Sequence, residues 1–397
     1  MDQHRNLHIS LTPQHLRPEV KHNKGTKKRG GHPRPPGYLF SPIEARRAGA
    51  LAPHWEWYFV AKIPPNDKLS IYVDNQGHIR RMKIAIAGAS GNLGLFLSRF
   101  LSELPHDLIL LTHKSKLPPE LIAKKNVCVK RVDLGDPESL RGRCDGAECV
   151  ISMAGVLFKG GPEKFLPVTN TIYVANLARE ALSAKVSKFV LLSFPHVEGE
   201  TFPDSPASGL IPVEDPKPLH AKTRLDAERR LIATCESSDM TYLILRAGVV
   251  YGKGVKLIEA ARTMMRLKCL AIWTKPTWVH LLHIDDFLEL ARMGIEDARF
   301  EGILNIADDR PILLQDFLDS LASHWGYRSP RRLPESFFFP AAHVFDLFSR
   351  ITGSAVPLNP DILRMGMTSS VADTRRLKEQ IGYKLKYPTL EKGLPLC

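Results

Sequence analysis

From Met82 onward, short apolar runs alternate with longer amphipathic stretches. The run KIAIA has the length and composition of a buried strand, and the stretch LFLSRFLSEL that follows it places apolar residues at helical spacing. Similar strand-like runs are DLILLT, VCVKRVDL, CVISMAG and KFVLLS, separated by amphipathic helical stretches. This alternation predicts an α/β fold in which helices cover both faces of a doubly wound parallel sheet.

The pattern differs before Met82. Residues 1–50 lack apolar periodicity and are rich in His, Pro, Arg and Lys, so they cannot bury enough surface to offset the entropy of ordering. Two strand-like pieces, WEWYFVAKI and KLSIYVD, predict a marginal hairpin within residues 54–81. We interpret residues 1–81 as a basic, largely disordered extension arising from an upstream start codon; the alternatives are a nucleic-acid arm or a transit peptide.

Charge supports this division of the chain. The net charge of the 397 residues is +13, and residues 1–81 contain 14 Lys and Arg against 6 Asp and Glu, so most of the excess lies in the extension. We therefore expect no specific nucleic-acid partner. The six cysteines show no CxxC spacing, which argues against a disulfide scaffold or a structural metal site and favours a reducing cytoplasm. No apolar run approaches the roughly 20 residues of a membrane span.

A glycine-rich turn joins the first strand to its helix in the sequence GASGNLG. Gly88 suits a tight turn, Gly91 lets the backbone approach a pyrophosphate, and Gly94 permits close helix packing, while the helix N-terminus offers free N–H groups to an anion. The strand, turn and helix together predict a dinucleotide site. Its expected residues are Gly88, Ser90, Gly91, Asn92, Leu93 and Gly94.

Several further segments resemble the short-chain dehydrogenase/reductase superfamily, specifically its extended, epimerase/dehydratase-like branch, from Met82 to about Leu394. They are LRAGVVYGKG, HIDDF, NIADD and DTRRL, together with the fourth-strand segment CVISMAG. The resemblance implies a Rossmann-type domain at residues 82–255 and a smaller α/β substrate lobe, mainly residues 256–397, interleaved with it. It also implies that Asp133 and Leu134 flank the adenine, that Ala154 and Gly155 line the cofactor, and that Ser193 occupies the catalytic Ser/Thr position.

The choice of nicotinamide cofactor depends on the end of the second strand. An acid there would hold the adenosine ribose of NAD, and a cation would hold the 2′-phosphate of NADP. The strand ends in Thr112, His113 and Lys114, with no carboxylate. His113 and Lys114 are either phosphate ligands or solvated loop residues. We expect NADP, with NAD as the possible alternative.

The family's YxxxK pair is replaced. The resemblance aligns PLHAKTRLDAERRL with the helix that carries the pair, which places His220 at the Tyr position and Arg224 at the Lys position. The unperturbed pKa of histidine, near 6.5, suits proton transfer around neutrality, whereas arginine remains charged. His220 is either the proton donor or a surface residue. In the loop that follows Ser193, His196 and Glu198 are lesser candidates.

These features predict an NAD(P)-binding oxidoreductase or epimerase/dehydratase-like enzyme acting on a small carbonyl or hydroxyl compound. In a reductase, His220 or an ordered water handles the proton, Ser193 positions the oxygen and Arg224 anchors the cofactor. The rival is a non-catalytic NAD(P)-binding sensor or assembly protein of the same fold. A homodimer is possible. The segment SFFFPAAHVFDLF is interpreted as a packed helix, a dimer patch or a membrane-surface element.

Overall fold

The central sheet is built from strands that the apolar runs predict. In this computed structural model, the described residues are 59–62, 70–73, 81–156, 159–354 and 358–397. The strands of the described residues, in the central sheet and outside it, are β1 (Phe59–Lys62), β2 (Ser70–Val73), β3 (Lys83–Ala87), β4 (Asp107–Thr112), β5 (Val127–Arg131), β6 (Cys149–Ser152), β7 (Lys188–Ser193), β8 (Thr241–Ala247), β9 (Val249–Tyr251), β10 (Ala271–Trp273), β11 (Trp278–Val279), β12 (Leu281–His283), β13 (Gly302–Ile306), β14 (Ile312–Leu313) and β15 (Arg331–Leu333).

Helices separate most of these strands. They are α1 (Asn92–Ser102), α2 (Pro119–Ile122), α3 (Pro137–Leu140), α4 (Pro162–Leu166), α5 (Tyr173–Ser183), α6 (Leu219–Glu236), α7 (Lys256–Arg266), α8 (Ile284–Glu296), α9 (Leu314–His324), α10 (Phe338–Thr352), α11 (Pro360–Met367) and α12 (Leu390–Gly393). A π-helical segment, Pro167–Ile172, joins α4 to α5. Within the described ranges, no helix has both the length and the apolar content needed to cross a membrane.

Seven of the strands form one sheet in the order β5-β4-β3-β6-β7-β8-β13, and every neighbouring pair is parallel. Alternate residues of β3 face opposite sides. Ile84 and Ile86 pack with residues of α1 and α8, while Ala85 and Ala87 pack with residues of α5 and α6. The predicted doubly wound, Rossmann-type α/β sheet is therefore confirmed.

The direction of strand addition reverses between β3 and β6. In open α/β sheets such a reversal leaves a crevice at the carboxyl ends of the strands, where ligands bind. The glycine turn after β3 and the segment Met153–Gly155 after β6 meet at this edge. The topology therefore brings the predicted cofactor residues of two separate loops together.

The C-terminal part of the chain forms small strand pairs and also completes the main sheet. The strands β9 and β12 pair in parallel, as do β10 and β15, while β11 and β14 are antiparallel. Strand β13 pairs with β8 along residues 302–306. One strand of residues 256–397 thus joins the main sheet, while the predicted substrate lobe and its boundaries stay predictions.

The predicted hairpin before Met82 is also observed. Strands β1 and β2 pair antiparallel, with Phe59 opposite Val73. The prediction of disorder for residues 1–50 lies outside the described residues.

Candidate functional site

The glycine turn is shaped by close contacts that no side chain would permit. Gly88 has φ +82°, and a Cβ there would lie 2.7 Å from the backbone nitrogen of Ala154. A Cβ at Gly94 would lie 2.1 Å from the carbonyl oxygen of Gly88. No side chain caps the N-terminus of α1 at Gly91, so the N–H groups of its first turn are available to an anion. The geometry suits a dinucleotide pyrophosphate.

A cavity of about 500 Å³ opens beside this turn at the carboxyl edge of β3, β6 and β7. It brings together the predicted residues Gly91, Asn92, Leu93, Gly94, Ala154, Gly155, Ser193, His220 and Arg224. Ten larger apolar side chains also line it: Met153, Val156, Leu192, Phe194, Val249, Val250, Val255, Leu257, Val279 and Met365. Within the described part of the chain, no tyrosine lines this cavity.

His220 lies in the first turn of α6 and is buried, with its side chain 2% exposed. Its Nδ1 lies 2.5 Å from Oδ2 of Asp361 in α11, and its Nε2 has no hydrogen-bond partner in the described structure. Asp361 also accepts hydrogen bonds from the backbone N–H groups of Leu219 and His220. This carboxylate therefore fixes the imidazole and leaves Nε2 as the unpartnered nitrogen of a residue that lines the cavity.

The charge of Asp361 is held by its partners. Burial opposes ionisation, but the hydrogen bonds from His220 and from the backbone at Leu219 outweigh it, so the pKa of Asp361 lies below its usual value. An ionised carboxylate at Nδ1 favours a proton on that nitrogen and stabilises an imidazolium. The pair has the form of an acid/base dyad.

Arg224 lies one turn after His220, and its guanidinium reaches the cavity beside Gly155. A Cβ at Gly155 would lie 3.4 Å from Nη2 of Arg224, and Nη2 donates to Oδ1 of Asn170 at 3.3 Å. Its Nε and Nη1 are buried without a hydrogen-bond partner in the described structure. Burial lowers the pKa of Arg224 to about 10, against the opposing effect of Glu228, so the side chain stays charged at neutral pH. Two unused donors indicate a missing acceptor group.

Ser193 ends β7 and lines the cavity, but its hydroxyl is already engaged. Its Oγ donates to Oε1 of Glu228 at 2.5 Å, and the same carboxylate forms a buried ion pair with Arg246. Arg246 also pairs with Glu198, so Glu198 joins this internal charge cluster. The Ser193 hydroxyl therefore retains its lone pairs as acceptors for a ligand.

His196, the other lesser candidate, lines the cavity, where burial lowers its pKa to about 4. Its Nδ1 has no hydrogen-bond partner among the described residues. The imidazole is therefore neutral at physiological pH and unsuited to donate a proton from a charged form.

The residues predicted to hold the adenosine end lie apart from this cavity. His113 and Lys114 follow β4 and are exposed, and Nε2 of His113 lies 3.7 Å from Oδ2 of Asp133. Leu134 is buried, and its carbonyl oxygen accepts from Asn176. The fold thus places His113 and Asp133 at neighbouring strand ends, while Lys114 forms no ion pair with Asp133.

Sequence reasoning missed Asp361 as a site residue. Asn359 and Pro360 mark a helix start, and the Asn359 side chain accepts from the backbone of Asp361 and Ile362. That local pattern predicts a helix N-terminus but gives no partner for Asp361. Only the folded chain brings it to His220.

Comparison with known proteins agrees with this geometry. The model of the NAD dependent epimerase/dehydratase family matches residues 84–307, more than half of the chain. The chain therefore belongs to this family, and it is an NAD-dependent oxidoreductase or epimerase of the extended short-chain dehydrogenase/reductase type.

Individual relatives are more distant. A 3-diazoavenalumate denitrifying reductase from a Streptomyces species is 27% identical over 332 residues, covering 79% of this chain and 99% of that protein. The structure of Thermotoga maritima UDP-glucose 4-epimerase with UDP-glucose matches with a TM-score of 0.63 at 19% identity, over 79% of this chain and 97% of the other. Thermus thermophilus UDP-glucose 4-epimerase with NAD gives 0.61 at 18% identity and the same coverage. At these identities the two structures show the shared fold.

Proposed function

We propose that this protein is an NAD(P)-dependent oxidoreductase that interconverts a carbonyl and a hydroxyl group on a small apolar compound, with His220 as the acid/base. One observation carries the proposal: buried His220, which lines the cavity, is bound at Nδ1 by Asp361 and keeps its Nε2 without a protein partner among the described residues. His196 also lines the cavity, but burial keeps its ring neutral, whereas His220 has an ionised carboxylate at Nδ1, which is the arrangement of an acid/base pair.

Three features fit a nicotinamide dinucleotide. The uncapped N-terminus of α1 suits the pyrophosphate, and the missing Cβ atoms at Gly88 and Gly94 give the turn its shape. The unpartnered Nε and Nη1 of Arg224 suit ribose hydroxyls at the Gly155 side of the cavity. When bound, the cofactor supplies or accepts a hydride.

His220 moves the proton that accompanies this chemistry. In the reducing direction, protonated Nε2 donates to the substrate oxygen while Asp361 stabilises the Nδ1–H side of the ring. In the oxidising direction, neutral Nε2 accepts the hydroxyl proton. Because the Ser193 hydroxyl already donates its hydrogen bond to Glu228, it can only accept one, from a second donor group of the substrate or cofactor rather than from the reacting oxygen. Arg224 remains charged and anchors the cofactor.

The lining favours an apolar substrate. Apolar surface predominates in the lining, which has ten larger apolar side chains beside nine polar ones, whereas a sugar would need a polar partner for each of its hydroxyl groups. The similar epimerase structures contain UDP-glucose or NAD, and the similar reductase is named for 3-diazoavenalumate. The lining supports a reductase reaction over sugar epimerisation; an epimerase/dehydratase-like reaction is the second candidate on family grounds.

We also propose that NADP binds more tightly than NAD. No carboxylate follows β4, and His113 and Lys114 occupy the loop where a 2′-phosphate would lie. Asp133 offsets part of the charge of a protonated His113 at 3.7 Å, so Lys114 provides the main cationic contact.

The test is turnover of NADPH with a panel of aliphatic and aromatic aldehydes and ketones. His220→Ala should lower kcat by about 100-fold to 10,000-fold, the usual share of a general acid or base, with the NADPH dissociation constant nearly unchanged. His220→Gln preserves polarity but removes the titrating group, so it should be equally impaired. His324→Ala, at an exposed position of α9, is the matched control.

Undiminished turnover in both His220 variants would contradict the assigned role. Tight NADPH binding by the parent without turnover of any carbonyl compound would instead favour a ligand-sensing protein. Equal NADPH and NADH affinities would overturn only the cofactor preference.

A further inference from the structure

The second half of helix α10 has polar side chains inward and large apolar side chains outward, whereas Phe338, Phe339 and Ala342 in its first half pack against the core. Its buried residues include Asp346 and Ser349. Asp346 accepts from the backbone N–H of Gly161, and Ser349 accepts from that of Gly160, both at 2.8 Å. A Cβ at Gly160 would lie 2.6 Å from Cβ of Ser349. Direct hydrogen bonds thus hold the helix against the segment that follows β6.

The opposite side of α10 exposes large apolar side chains. Val344 is 68% exposed, Leu347 59%, Phe348 55% and Ile351 76%, and Phe337 just before the helix is 63% exposed. Positions 344, 347, 348 and 351 recur every three or four residues and so share one side of the helix. We call these five residues the α10 apolar face. Contiguous apolar surface of this kind marks an interaction site rather than ordinary solvent-facing helix.

We propose that the α10 apolar face docks on an anionic lipid bilayer and lies in its interface. The helix has 15 residues, too few to span a bilayer, so it would lie along the surface. Arg328 and Arg331, in the segment just before it, are exposed and form no ion pair with another described residue. Exposed apolar side chains together with unpaired basic side chains in the adjoining segment of the chain are the combination that binds anionic membranes.

The charge next to α10 favours an anionic bilayer over a second copy of the chain as the partner of the α10 apolar face. A symmetric homodimer through α10 would place two copies of the same basic flank at one interface, where like charges repel. Lipid headgroups would neutralise Arg328 and Arg331 while the acyl boundary covered the apolar face. The net charge of +13 adds a general attraction to an anionic surface.

The docked helix would be tied to the cavity by two connections. Residues 153–156 line the cavity, and the same loop continues to Gly160 and Gly161, which bond to α10. After α10, Asn359 donates to the carbonyl oxygen of Lys159, and α11 then supplies Asp361 to His220. Membrane docking would therefore hold the loop after β6 and helix α11, which both border the cavity, close to a lipid surface. Such a surface is a source of apolar compounds. The docking itself does not depend on the proposed reaction.

Sedimentation of the full chain with phosphatidylcholine vesicles containing 30% phosphatidylglycerol tests the proposal. We expect the parent to bind, and the double substitution Phe348→Gln/Ile351→Gln to weaken the apparent dissociation constant at least about tenfold. The matched control replaces apolar residues exposed elsewhere, as Val213→Gln/Leu267→Gln, and should bind like the parent. Circular dichroism checks the fold, and Val344→Gln/Leu347→Gln provides an independent second variant.

Hydrogen exchange separates docking through α10 from attraction through the basic residues 1–81. Vesicles should slow exchange in peptides covering residues 338–352 in the parent. Absence of vesicle binding, binding unaffected by both α10 variants, or binding without protection of these peptides would each overturn the proposal. So would a parent that stays unbound but is dimeric, with the α10 variants monomeric, because a second copy would then cover the face. None of these measurements depends on turnover. A negative result for membrane docking would therefore not contradict the proposed reaction.

Discussion

Oδ2 of Asp361 lies 2.5 Å from Nδ1 of His220, although 141 residues separate the two in the chain. The same carboxylate accepts hydrogen bonds from the backbone N–H groups of Leu219 and His220 at the start of α6. One side chain from α11 therefore fixes both the beginning of α6 and the orientation of the imidazole. The proposed chemistry depends on how the C-terminal segment packs.

Removing the charge of Asp361 should impair the proton transfer more than cofactor binding. Asp361→Asn keeps the size of the side chain but no longer stabilises the imidazolium, so we expect kcat to fall roughly 10-fold to 1,000-fold. The dissociation constant for NADPH should change less than about threefold. Steady-state kinetics and calorimetry measure the two effects. Asp226→Asn, at an exposed position of α6, is the control; a kcat equal to that of the parent in Asp361→Asn would refute the dyad.

Arg224 should serve the cofactor rather than the stability of the free protein. Its buried guanidinium has two unused donors, so Arg224→Ala removes an incompletely compensated charge and should leave the apoprotein Tm unchanged or higher. The NADPH dissociation constant should rise at least about tenfold, equivalent to about 1.4 kcal/mol. Arg224→Lys should be intermediate, since it retains charge but offers fewer donors.

Thermal unfolding with and without NADPH separates these effects. Arg230→Ala, on the exposed side of the same helix, should leave cofactor stabilisation intact. A large fall in apoprotein Tm with unchanged NADPH affinity would show that Arg224 is structural.

Lys114 should discriminate between the two cofactors. Lys114→Ala should weaken NADPH binding by roughly 1 kcal/mol, about fivefold, because one charge-assisted hydrogen bond to the 2′-phosphate is lost. NADH affinity should not change, since that cofactor has no phosphate there. Calorimetry with both cofactors gives the comparison, and Lys116→Ala is the nearby exposed control. If Lys114→Ala weakened NADPH and NADH binding equally, Lys114 would not be a ligand of the 2′-phosphate.

Asp308 should make stability depend on pH near neutrality. It is fully buried, with Oδ1 3.5 Å from Nε2 of His280, and burial raises its pKa to about 8. Because the unfolded chain ionises near pH 4, the folded state loses relative stability as pH rises, by about 1.4 kcal/mol per pH unit, until the loss levels off above about pH 8.

Asp308→Asn removes this titration. Its free energy of unfolding relative to the parent should therefore increase between pH 6.5 and 8 and then stay constant. Urea unfolding at several pH values measures the difference, with Asp204→Asn, at an exposed loop position, as the control. A difference independent of pH would mean that Asp308 ionises normally in the folded protein.

The sequence predicts the sheet well because its signals are local. Buried strands such as Lys83–Ala87 are short apolar runs, and the glycines of the turn at Gly88 report backbone conformation directly. The alignment of HxxxR also finds His220 and Arg224, which the fold places at one cavity. What escapes prediction is contact between distant segments. Neither Asp361 beside His220 nor Glu228 beside Ser193 has a local signature, because each depends on how separate helices and strands pack.

The outward apolar side of α10 illustrates the same limit. The segment predicts a helix, but the sequence leaves open packing, a dimer patch or a membrane-surface element. The hydrogen bonds of Asp346 and Ser349 to a neighbouring loop determine which side faces inward. Apolar periodicity alone would have assigned the opposite orientation, because it normally marks the core side.

The pairing of β8 with β13 has a consequence for synthesis of the protein on the ribosome. The interior strand Thr241–Ala247 receives its last neighbour only when residues 302–306 have emerged. Until then, the backbone groups along one side of β8 lack their final partners, and a nascent chain ending between these points presents an apolar edge open to pairing with another chain. Pausing of translation in that interval would thus favour aggregation, whereas pausing after Ile306 has left the exit tunnel would not.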